Sequence, residues 1–284
     1  MSEWVATHEA TIRLSAFLGM LTLMAMWEVL APLRQLKVGK GYRWLNNLGL
    51  VVLNTLILRA LFPAAAVGMA VLAAQQGWGV LNYLDWPEML TILIAVVLLD
   101  MAIYLQHVMV HAIPVLWRLH RVHHADPDFD VTTGLRFHPF EIVISMLIKF
   151  AVIIALGPPV VAVVIFEVIL NGMAMFNHAN IRLPSKLDAL LRLLVVTPDM
   201  HRVHHSVEDD ETNSNFGFNL SIWDRLFGTY RAQPRKGHLG MTIGINGFDQ
   251  PAQVVSLRGL LGLPFRRRIG HYAINRRSWL KPDD

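Results

Sequence analysis

The sequence predicts an all-α integral membrane protein, with about four to five membrane helices, including a hairpin, and a cytosolic helical cap. Two observations of composition support this fold class. Hydrophobic residues make up 54% of the 284 residues and charged residues only 16%, whereas soluble domains carry about 45–50% and about 25%. The apolar residues also occur in long uninterrupted runs, which is typical of membrane helices.

The charge and the cysteine count exclude several classes of protein. The net charge is +4, but the basic residues lie at the ends of apolar runs, where attraction to anionic lipid headgroups explains them better than nucleic acid does. We therefore expect no nucleic-acid partner. The sequence contains 13 histidines and no cysteine, so any metal site in this chain uses imidazole and carboxylate ligands and not thiolates.

The N-terminal membrane helices are predicted within residues 1–88. The first run covers residues 14–30, and the following segment 34–43 carries four basic residues and no acid, which places it in the cytoplasm by the positive-inside rule. Residues 45–74 are too long for one straight crossing, and Pro63 is predicted to end the membrane helix. The run at 88–109 returns to the cytoplasmic side, and Pro114 is expected to end it.

A membrane hairpin is predicted in the second half of the chain. Residues 142–156 and 160–175 are apolar runs joined by Gly157-Pro158-Pro159, a turn signal. The spacing of leucines over residues 187–195 predicts an interfacial amphipathic helix, which Pro198 would close. We divide the chain into N-terminal membrane helices at 1–88, a catalytic domain at 89–248 and a basic cytosolic tail at 249–284.

Eight histidines occur in three spaced boxes. His107 and His111 share one helix face, and the sequence HRVHH occurs twice, at residues 120–124 and 201–205. Each box can direct two or three imidazoles at one point, and eight imidazoles exceed the ligands of a single zinc ion, so the capacity is two metals. If both HRVHH boxes serve one site, an even number of membrane crossings must separate them, and the hairpin supplies two. The cap would then carry a histidine-rich dimetal site.

Three further residues are candidates for the same site. His178 leaves the hairpin on the side of the boxes and is predicted to be an additional ligand. His138 is either a ligand or a residue that supports one, and Asp199 either orients a ligand ring or caps the third-box helix. The isolated His8, His238 and His271 are expected to be ordinary core or surface residues.

The ligand type leaves the metal and the reaction open. Imidazole suits zinc, copper, iron and nickel. A zinc-dependent membrane hydrolase would normally add a general base such as the glutamate of HExxH, and this motif is absent. Two irons that activate dioxygen fit an all-nitrogen site better. A zinc-dependent hydrolase and a non-catalytic metal-binding membrane protein remain the alternatives.

The order HxxxH, HxxHH, HxxHH resembles the fatty acid hydroxylase / sterol desaturase superfamily of membrane di-iron oxygenases. The similarity covers residues 90–248 and includes RFHPFE at 136–141, TPDMHRVHH at 197–205 and NFGFNLSIWDRLFGTY at 215–230. The layout is most similar to the branch that holds alkylglycerol monooxygenase, methylsterol oxidases and bacterial sterol desaturase-like members. This resemblance implies metal ligation by nine histidines: His107, His111, His120, His123, His124, His178, His201, His204 and His205.

The resemblance also implies a reaction and its partners. We expect two iron ions, for which zinc can substitute, O2 as co-substrate, and hydroxylation or desaturation of a lipid such as a sterol, fatty-acyl or ether lipid. The chain has no nicotinamide or flavin fingerprint, so the electrons would come from an external ferredoxin or b-type cytochrome with its reductase, docked on a basic surface. The absence of a KDEL-type signal favours a bacterial inner membrane, with the histidine site on the cytoplasmic side.

Overall fold

The computed structural model describes residues 2–248 and 250–266, and this part of the chain is helical and contains no β-strand. Strand-like pairing within it is limited to two isolated bridges, Val195 with Leu220 and Ser206 with Ile243. Five segments are long and apolar enough to cross a membrane: Trp4–Leu30, Lys40–Tyr83, Glu88–Ala112, Pro139–Leu156 and Val160–Asn177. The predicted all-α, multi-pass membrane fold is confirmed.

Nine helices build the membrane part and the centre of the fold. They are α1 (Ser2–Leu30), α2 (Lys40–Leu61), α3 (Ala65–Gln76), α4 (Glu88–Ala112), α5 (Pro114–His124), α6 (Pro139–Leu156), α7 (Val160–Asn177), α8 (Ser185–Leu191) and α9 (Pro198–His204). Five short helices follow: α10 (Asp209–Thr212), α11 (Ile222–Leu226), α12 (Gly237–Gly240), α13 (Pro251–Val254) and α14 (Leu257–Gly262). Single 3₁₀ turns occur at Val80–Tyr83, Thr133–Leu135 and Leu263–Phe265.

Several helix boundaries differ from the sequence prediction. Helix α1 begins well before residue 14, because Arg13 is paired with Glu9 at 2.9 Å and with Glu167 at 3.3 Å, so that its charge is tolerated within the helix. Pro63 does follow the end of α2, as predicted. Pro114 not only follows α4 but also opens α5, where its missing N–H costs no hydrogen bond.

The predicted interfacial helix is shorter than expected. Helix α8 ends at Leu191, and Pro198 starts α9 and does not close the preceding helix. The local reason is an N-terminal cap: the Thr197 side chain accepts a hydrogen bond from the Met200 N–H at 3.3 Å, and proline is favoured in the first helical turn. The third histidine box therefore lies on its own short helix.

The hairpin turn is held against the loop that follows α3. Helices α6 and α7 have 18 residues each, about 27 Å at 1.5 Å per residue, which nearly matches a hydrocarbon core of about 30 Å. Gly157 ends α6 with φ +63°, and a Cβ there would lie 2.3 Å from the Trp78 carbonyl oxygen. Glycine at this turn thus allows both the left-handed backbone and the close approach.

A buried ion network joins α2 to the segment after the second histidine box. The fully buried Arg43 guanidinium contacts Asp126 at 2.8 Å and Asp130 at 2.6 Å, and Arg136 lies 3.5 Å from the same Asp126. Arg43 is one of the four basic residues of segment 34–43, and its charge is neutralised inside the protein. The cytoplasmic position of this segment stays a prediction.

The first part of the predicted basic tail packs against the membrane helices. Val254, Leu260 and Leu263 are buried in one hydrophobic cluster with Leu50 of α2 and Trp117 of α5. Residues 267–284, which include His271 and half of the predicted basic tail, lie outside the described residues.

Three charged side chains meet within the membrane-spanning helices. Glu167 of α7 accepts a hydrogen bond from Lys149 of α6 at 2.8 Å and pairs with Arg13 of α1 at 3.3 Å. Both Lys149 and Glu167 are largely buried. We call Arg13, Lys149 and Glu167 the membrane ion triad, because charges at this depth need partners.

Replacing Glu167 with leucine is expected to lower the free energy of unfolding by about 3–5 kcal/mol, since it leaves Lys149 without its carboxylate partner in a buried position. Denaturant unfolding of purified protein in detergent measures the change. The double variant Lys149→Met, Glu167→Leu removes both charges of the pair and should regain much of that loss. A single variant as stable as the original protein would contradict the proposed contribution of this pair.

Candidate metal centre

The structure brings together all nine histidines that the sequence singled out. They form two groups. Within each group, every histidine contributes one ring nitrogen, and these nitrogens all lie within 4.8 Å of one another. Every one of these side chains is buried. Group 1 consists of His107, His111, His120, His124 and His204, and group 2 consists of His123, His178, His201 and His205.

Each HRVHH box supplies both groups. His123 and His124 are consecutive on α5, but His123 belongs to group 2 and His124 to group 1. His204 and His205 are divided in the same way. As the spacing predicted, each HRVHH box directs two imidazoles at one point: His120 and His124 at group 1, and His201 and His205 at group 2. The third ring of each box belongs to the other group, because consecutive helical residues point about 100° apart.

In group 2, the Nε2 atoms converge on one point. The Nε2 of His178 lies 3.1 Å from that of His123, 3.2 Å from that of His205 and 3.0 Å from that of His201. Ligand nitrogens about 2.0–2.1 Å from a common metal are about 3.0–3.4 Å apart. Two facing imidazole nitrogens can share only one hydrogen, so four converging rings leave lone pairs opposed, and a bound cation would relieve this repulsion.

In group 1, ring nitrogens also converge, and the group has five rings where group 2 has four. The Nε2 atoms of His111 and His124 are 3.2 Å apart. The Nε2 atoms of His107, His120 and His204 are buried and have no hydrogen-bond partner among the described residues. Five nitrogen donors thus surround one point, and the residues of both groups fit a metal ion.

The outer nitrogens of five rings are held by hydrogen bonds. A ring whose Nδ1–H donates to a fixed acceptor presents its Nε2 lone pair in a fixed direction, as metal-bound histidines do. The pairs are His107 with the Phe216 carbonyl at 2.8 Å, His178 with the Ala174 carbonyl at 2.7 Å, His204 with the Ser214 carbonyl at 2.7 Å, His120 with Glu141 Oε1 at 2.6 Å, and His111 with Asn213 Oδ1 at 3.3 Å.

Sequence reasoning missed two residues that position these rings. Glu141 orients His120, and the signal for it was an acidic residue in the first turn of an otherwise apolar membrane helix. Gly134 makes room for His178: a Cβ at this position would lie 2.9 Å from its Nδ1 and 2.3 Å from the Ala174 carbonyl oxygen. Nothing in the local sequence distinguishes this glycine from an ordinary loop glycine.

His138 and Asp199 lie outside both groups. The His138 Nδ1 caps α6 by accepting from the Phe140 N–H at 3.2 Å, and its Nε2 donates to the Leu261 carbonyl at 3.3 Å. Asp199 neither contacts a ring of the two groups nor caps α9, because its carboxylate is paired with Arg202 at 2.5 Å. Neither residue therefore takes the role at the site that the sequence suggested.

Asp100 connects α4 to the segment after the third box. Its carboxylate accepts hydrogen bonds from the Trp223 indole at 2.8 Å and the Leu220 N–H at 3.2 Å. This contact places the NFGFNLSIWDRLFGTY segment, and with it the Phe216 carbonyl, against His107.

Burial keeps the rings of group 2 and of His204 neutral. It lowers the pKa of His178 to about 3, although hydrogen bonding to the Ala174 carbonyl opposes the shift. Burial likewise lowers the pKa of His204 to about 3. The pKa values of His123, His201 and His205 also lie well below the ordinary value because of burial, and neighbouring histidines add to the shift. At neutral pH the Nε2 atoms can therefore act as ligands without first losing a proton.

A cavity of about 330 Å³ reaches group 1 from between the membrane helices. His107 and His120 line its metal end, and the membrane ion triad lines its other end. Between these ends the wall includes apolar side chains such as Leu58, Ile103 and Leu170. A mainly apolar cavity of this size suits part of a lipid chain.

The fold and the site define a class: a multi-pass, all-helical membrane protein with two buried histidine groups beside a cavity between its helices. Residues 92–229 match the fatty acid hydroxylase family. The chain therefore carries a fatty acid hydroxylase domain, as its histidine boxes predicted.

Named relatives agree with this assignment. The chain is 27% identical over 242 residues to the ornithine lipid hydroxylase OlsE of Rhizobium tropici, an alignment that covers 81% of this chain and 70% of that protein. It is 30% identical to the alkylglycerol monooxygenase of Xenopus tropicalis, over 76% of this chain and 47% of the relative. The human alkylglycerol monooxygenase is also 30% identical, over 58% of this chain and 36% of the relative. The chain thus spans less than half of these monooxygenases.

No solved structure gives a significant match to the chain. The family and its named relatives are oxidoreductases, which confirms the enzyme class expected from the sequence.

Proposed function

We propose that this protein is a membrane-bound, di-iron, O2-dependent lipid oxidoreductase that hydroxylates or desaturates a C–H bond of a lipid. The observation that carries the proposal is the cavity, which joins the membrane helices to His107 and His120. A lipid chain in this cavity would place a carbon next to group 1. The two relatives whose names describe lipid oxidation support the same reaction class.

In this proposal the nine histidines hold two metal ions, one in each group. Iron is the proposed metal and zinc a compatible substitute, because imidazole accepts both. When bound, iron would supply the reduction of dioxygen that C–H oxidation requires. Glu141, Phe216 and Ser214 keep the rings of group 1 oriented through their hydrogen bonds. The buried surroundings of the rings exclude bulk water from the reacting carbon.

The reaction needs electrons from outside the chain. Hydroxylation converts R–H, O2, two electrons and two protons into R–OH and water, while desaturation removes two hydrogens from adjacent carbons and forms two waters. We propose that the electron donor is an external ferredoxin or b-type cytochrome with its reductase. It would dock on a basic surface at the cytoplasmic side of the protein.

The proposed substrate class comprises sterol, fatty-acyl, ether and amino-acid-containing lipids, and the last two correspond to the names of the relatives. We propose the division into membrane helices at 1–88, catalytic domain at 89–248 and tail at 249–284. A site on the cytoplasmic face of a bacterial inner membrane accords with the basic residues between α1 and α2.

Anaerobic loading of the purified protein with ferrous iron, followed by addition of a reductant and air in native lipid, tests the proposal. We expect oxygen uptake, together with lipids heavier by one oxygen or lighter by two hydrogens. Zinc-loaded protein serves as the matched control and should consume no oxygen. Tight zinc binding with no iron in protein from iron-supplemented cells, and no oxygen uptake with any reductant, would favour a zinc hydrolase or a non-catalytic metal-binding protein instead.

A further inference from the structure

The metal end of the cavity carries buried hydrogen-bond acceptors that have no donor. Asn54 of α2, Gln106 of α4 and Glu141 of α6 all line it. Among the described residues, no group donates to Asn54 Oδ1, Gln106 Oε1 or Glu141 Oε2. Asn54 and Glu141 are only 7% and 5% exposed. A buried acceptor without a donor destabilises the protein, so three of them in one cavity indicate a ligand that supplies donors.

The other polar atoms of Asn54 and Glu141 are already engaged, which fixes the orientation of their acceptors. The Asn54 amide nitrogen donates to the Phe137 carbonyl at 2.8 Å, so its oxygen cannot exchange places with the nitrogen without losing that bond. The Gln106 amide nitrogen lies 2.7 Å from the Ser145 hydroxyl. Glu141 uses its other carboxylate oxygen for His120.

All three acceptors lie beside the histidines and not at the far end of the cavity. Gln106 precedes His107, Glu141 bonds His120, and the Phe137 ring next to Asn54 stacks on His123 with centroids 4.7 Å apart. The donors at the opposite end, on Arg13 and Lys149, are paired with Glu167. Unpaired acceptors thus lie beside the histidines, whereas the charged groups at the other end of the cavity are joined by ion pairs.

The metal end also lies where lipid polar groups are found. His107 is near the last turn of α4, and Glu141 is in the first turn of α6. Both positions are at helix ends, near the boundary between hydrocarbon and headgroups. A lipid keeps its polar group at this boundary and its tail in the hydrocarbon. It could therefore enter the cavity without changing its orientation in the bilayer.

From these contacts we infer that Asn54, Gln106 and Glu141 form a recognition site for a lipid polar group that carries hydrogen-bond donors. The matching chemistry is a hydroxyl, an amide N–H or an ammonium group, and the carbon nearest the metals lies within a few bonds of it. This inference rests on the proposed function and narrows its substrate class to lipids oxidised close to their polar group, as opposed to the middle of a hydrocarbon tail.

Binding to the full-length protein in detergent tests the inference without turnover. The probes are dodecyl lipids with a glycerol, an N-methylamide or a primary ammonium head, each compared with the derivative in which every donor hydrogen is replaced by methyl. We expect at least one donor-bearing head to bind about 10-fold more tightly than its methylated partner, as two hydrogen bonds would allow. The head with the largest ratio identifies the donor. Equal binding within all three pairs would overturn the inference.

A variant and a matched control locate the effect. Asn54→Leu should reduce the donor preference about 3- to 10-fold, since it removes one acceptor. Asn46→Leu makes the same change two turns away on α2, where the side chain bonds Tyr42 and Leu257 and not the cavity. This control should keep the preference. A preference unchanged by Asn54→Leu in protein that retains its metal content would contradict the assignment.

The outcomes separate this inference from the proposed function. Donor preference without oxidation of any lipid would support the binding site and reject the oxidoreductase. Oxidation at mid-chain carbons, located by fragmentation of the product in a mass spectrometer, together with no donor preference, would support the oxidoreductase and overturn the recognition site.

Discussion

Replacing His204 with alanine is expected to lower lipid oxidation at least 100-fold and to reduce bound metal from about two ions per chain to about one. Loss of an outer hydrogen-bond partner alone typically costs about 10–100-fold in metal affinity or activity, and a direct ligand contributes more. His204 belongs to group 1, which lines the cavity, so its loss affects the metal next to the substrate. Elemental analysis and product formation measure the two effects.

His123→Ala provides the comparison for the other group. It should also abolish turnover, but the ion lost should be the one held by group 2. His8→Ala serves as the control, because His8 is bonded to the Trp4 carbonyl in α1 and lies far along the chain from the boxes. If both His204→Ala and His123→Ala retain two metal ions, the proposed ligand sets are wrong. Full biological function in both variants would favour a non-catalytic protein.

Replacing Glu141 with leucine is expected to weaken metal binding in group 1 by about 10–100-fold, the usual effect of removing a partner that orients a ligand histidine. The carboxylate holds His120 through a 2.6 Å hydrogen bond, and leucine offers no acceptor. Glu141→Gln retains an acceptor oxygen without the charge and should lie between leucine and the original residue. Competition with a chelator at constant pH measures the affinity.

The readout of this experiment should separate positioning from general destabilisation. We expect the electronic spectrum of a bound cobalt or iron ion to change in Glu141→Gln while the unfolding midpoint stays close to that of the original protein. Glu88→Gln, at the exposed start of α4, is the matched control and should change neither. An unchanged spectrum and affinity in both Glu141 variants would show that His120 is held by packing alone.

The histidine boxes could be predicted because ligand chemistry acts through local spacing. Residues three or four apart on a helix are neighbours in any fold. The pairing of His107 with His111 could therefore be predicted from their spacing alone. The hairpin was also readable, since Gly157-Pro158-Pro159 interrupts two apolar runs. The separation of His123 from His124 was not, because it depends on how α5 lies between its neighbours.

The supporting residues were hidden for a different reason. In the sequence, Arg43 is only one of four basic residues beside a membrane helix, the pattern to which the positive-inside rule applies. Its role depends on Asp126 and Asp130, more than 80 residues away, and no local pattern encodes that pairing. Glu141, Gly134 and Phe216 are likewise defined by contacts with distant histidines, which only the folded chain brings together.

The interleaving of the two histidine groups has a consequence for biosynthesis. Group 1 needs His204 and group 2 needs His205, so neither group is complete until the chain has been synthesised beyond residue 205 and both arms of the hairpin have been inserted. The histidines of the first two boxes would leave the ribosome before the histidines of the third box have been synthesised. In the proposed function, metal loading is therefore a late event in the maturation of this protein, since neither group is complete before residue 205 has been synthesised.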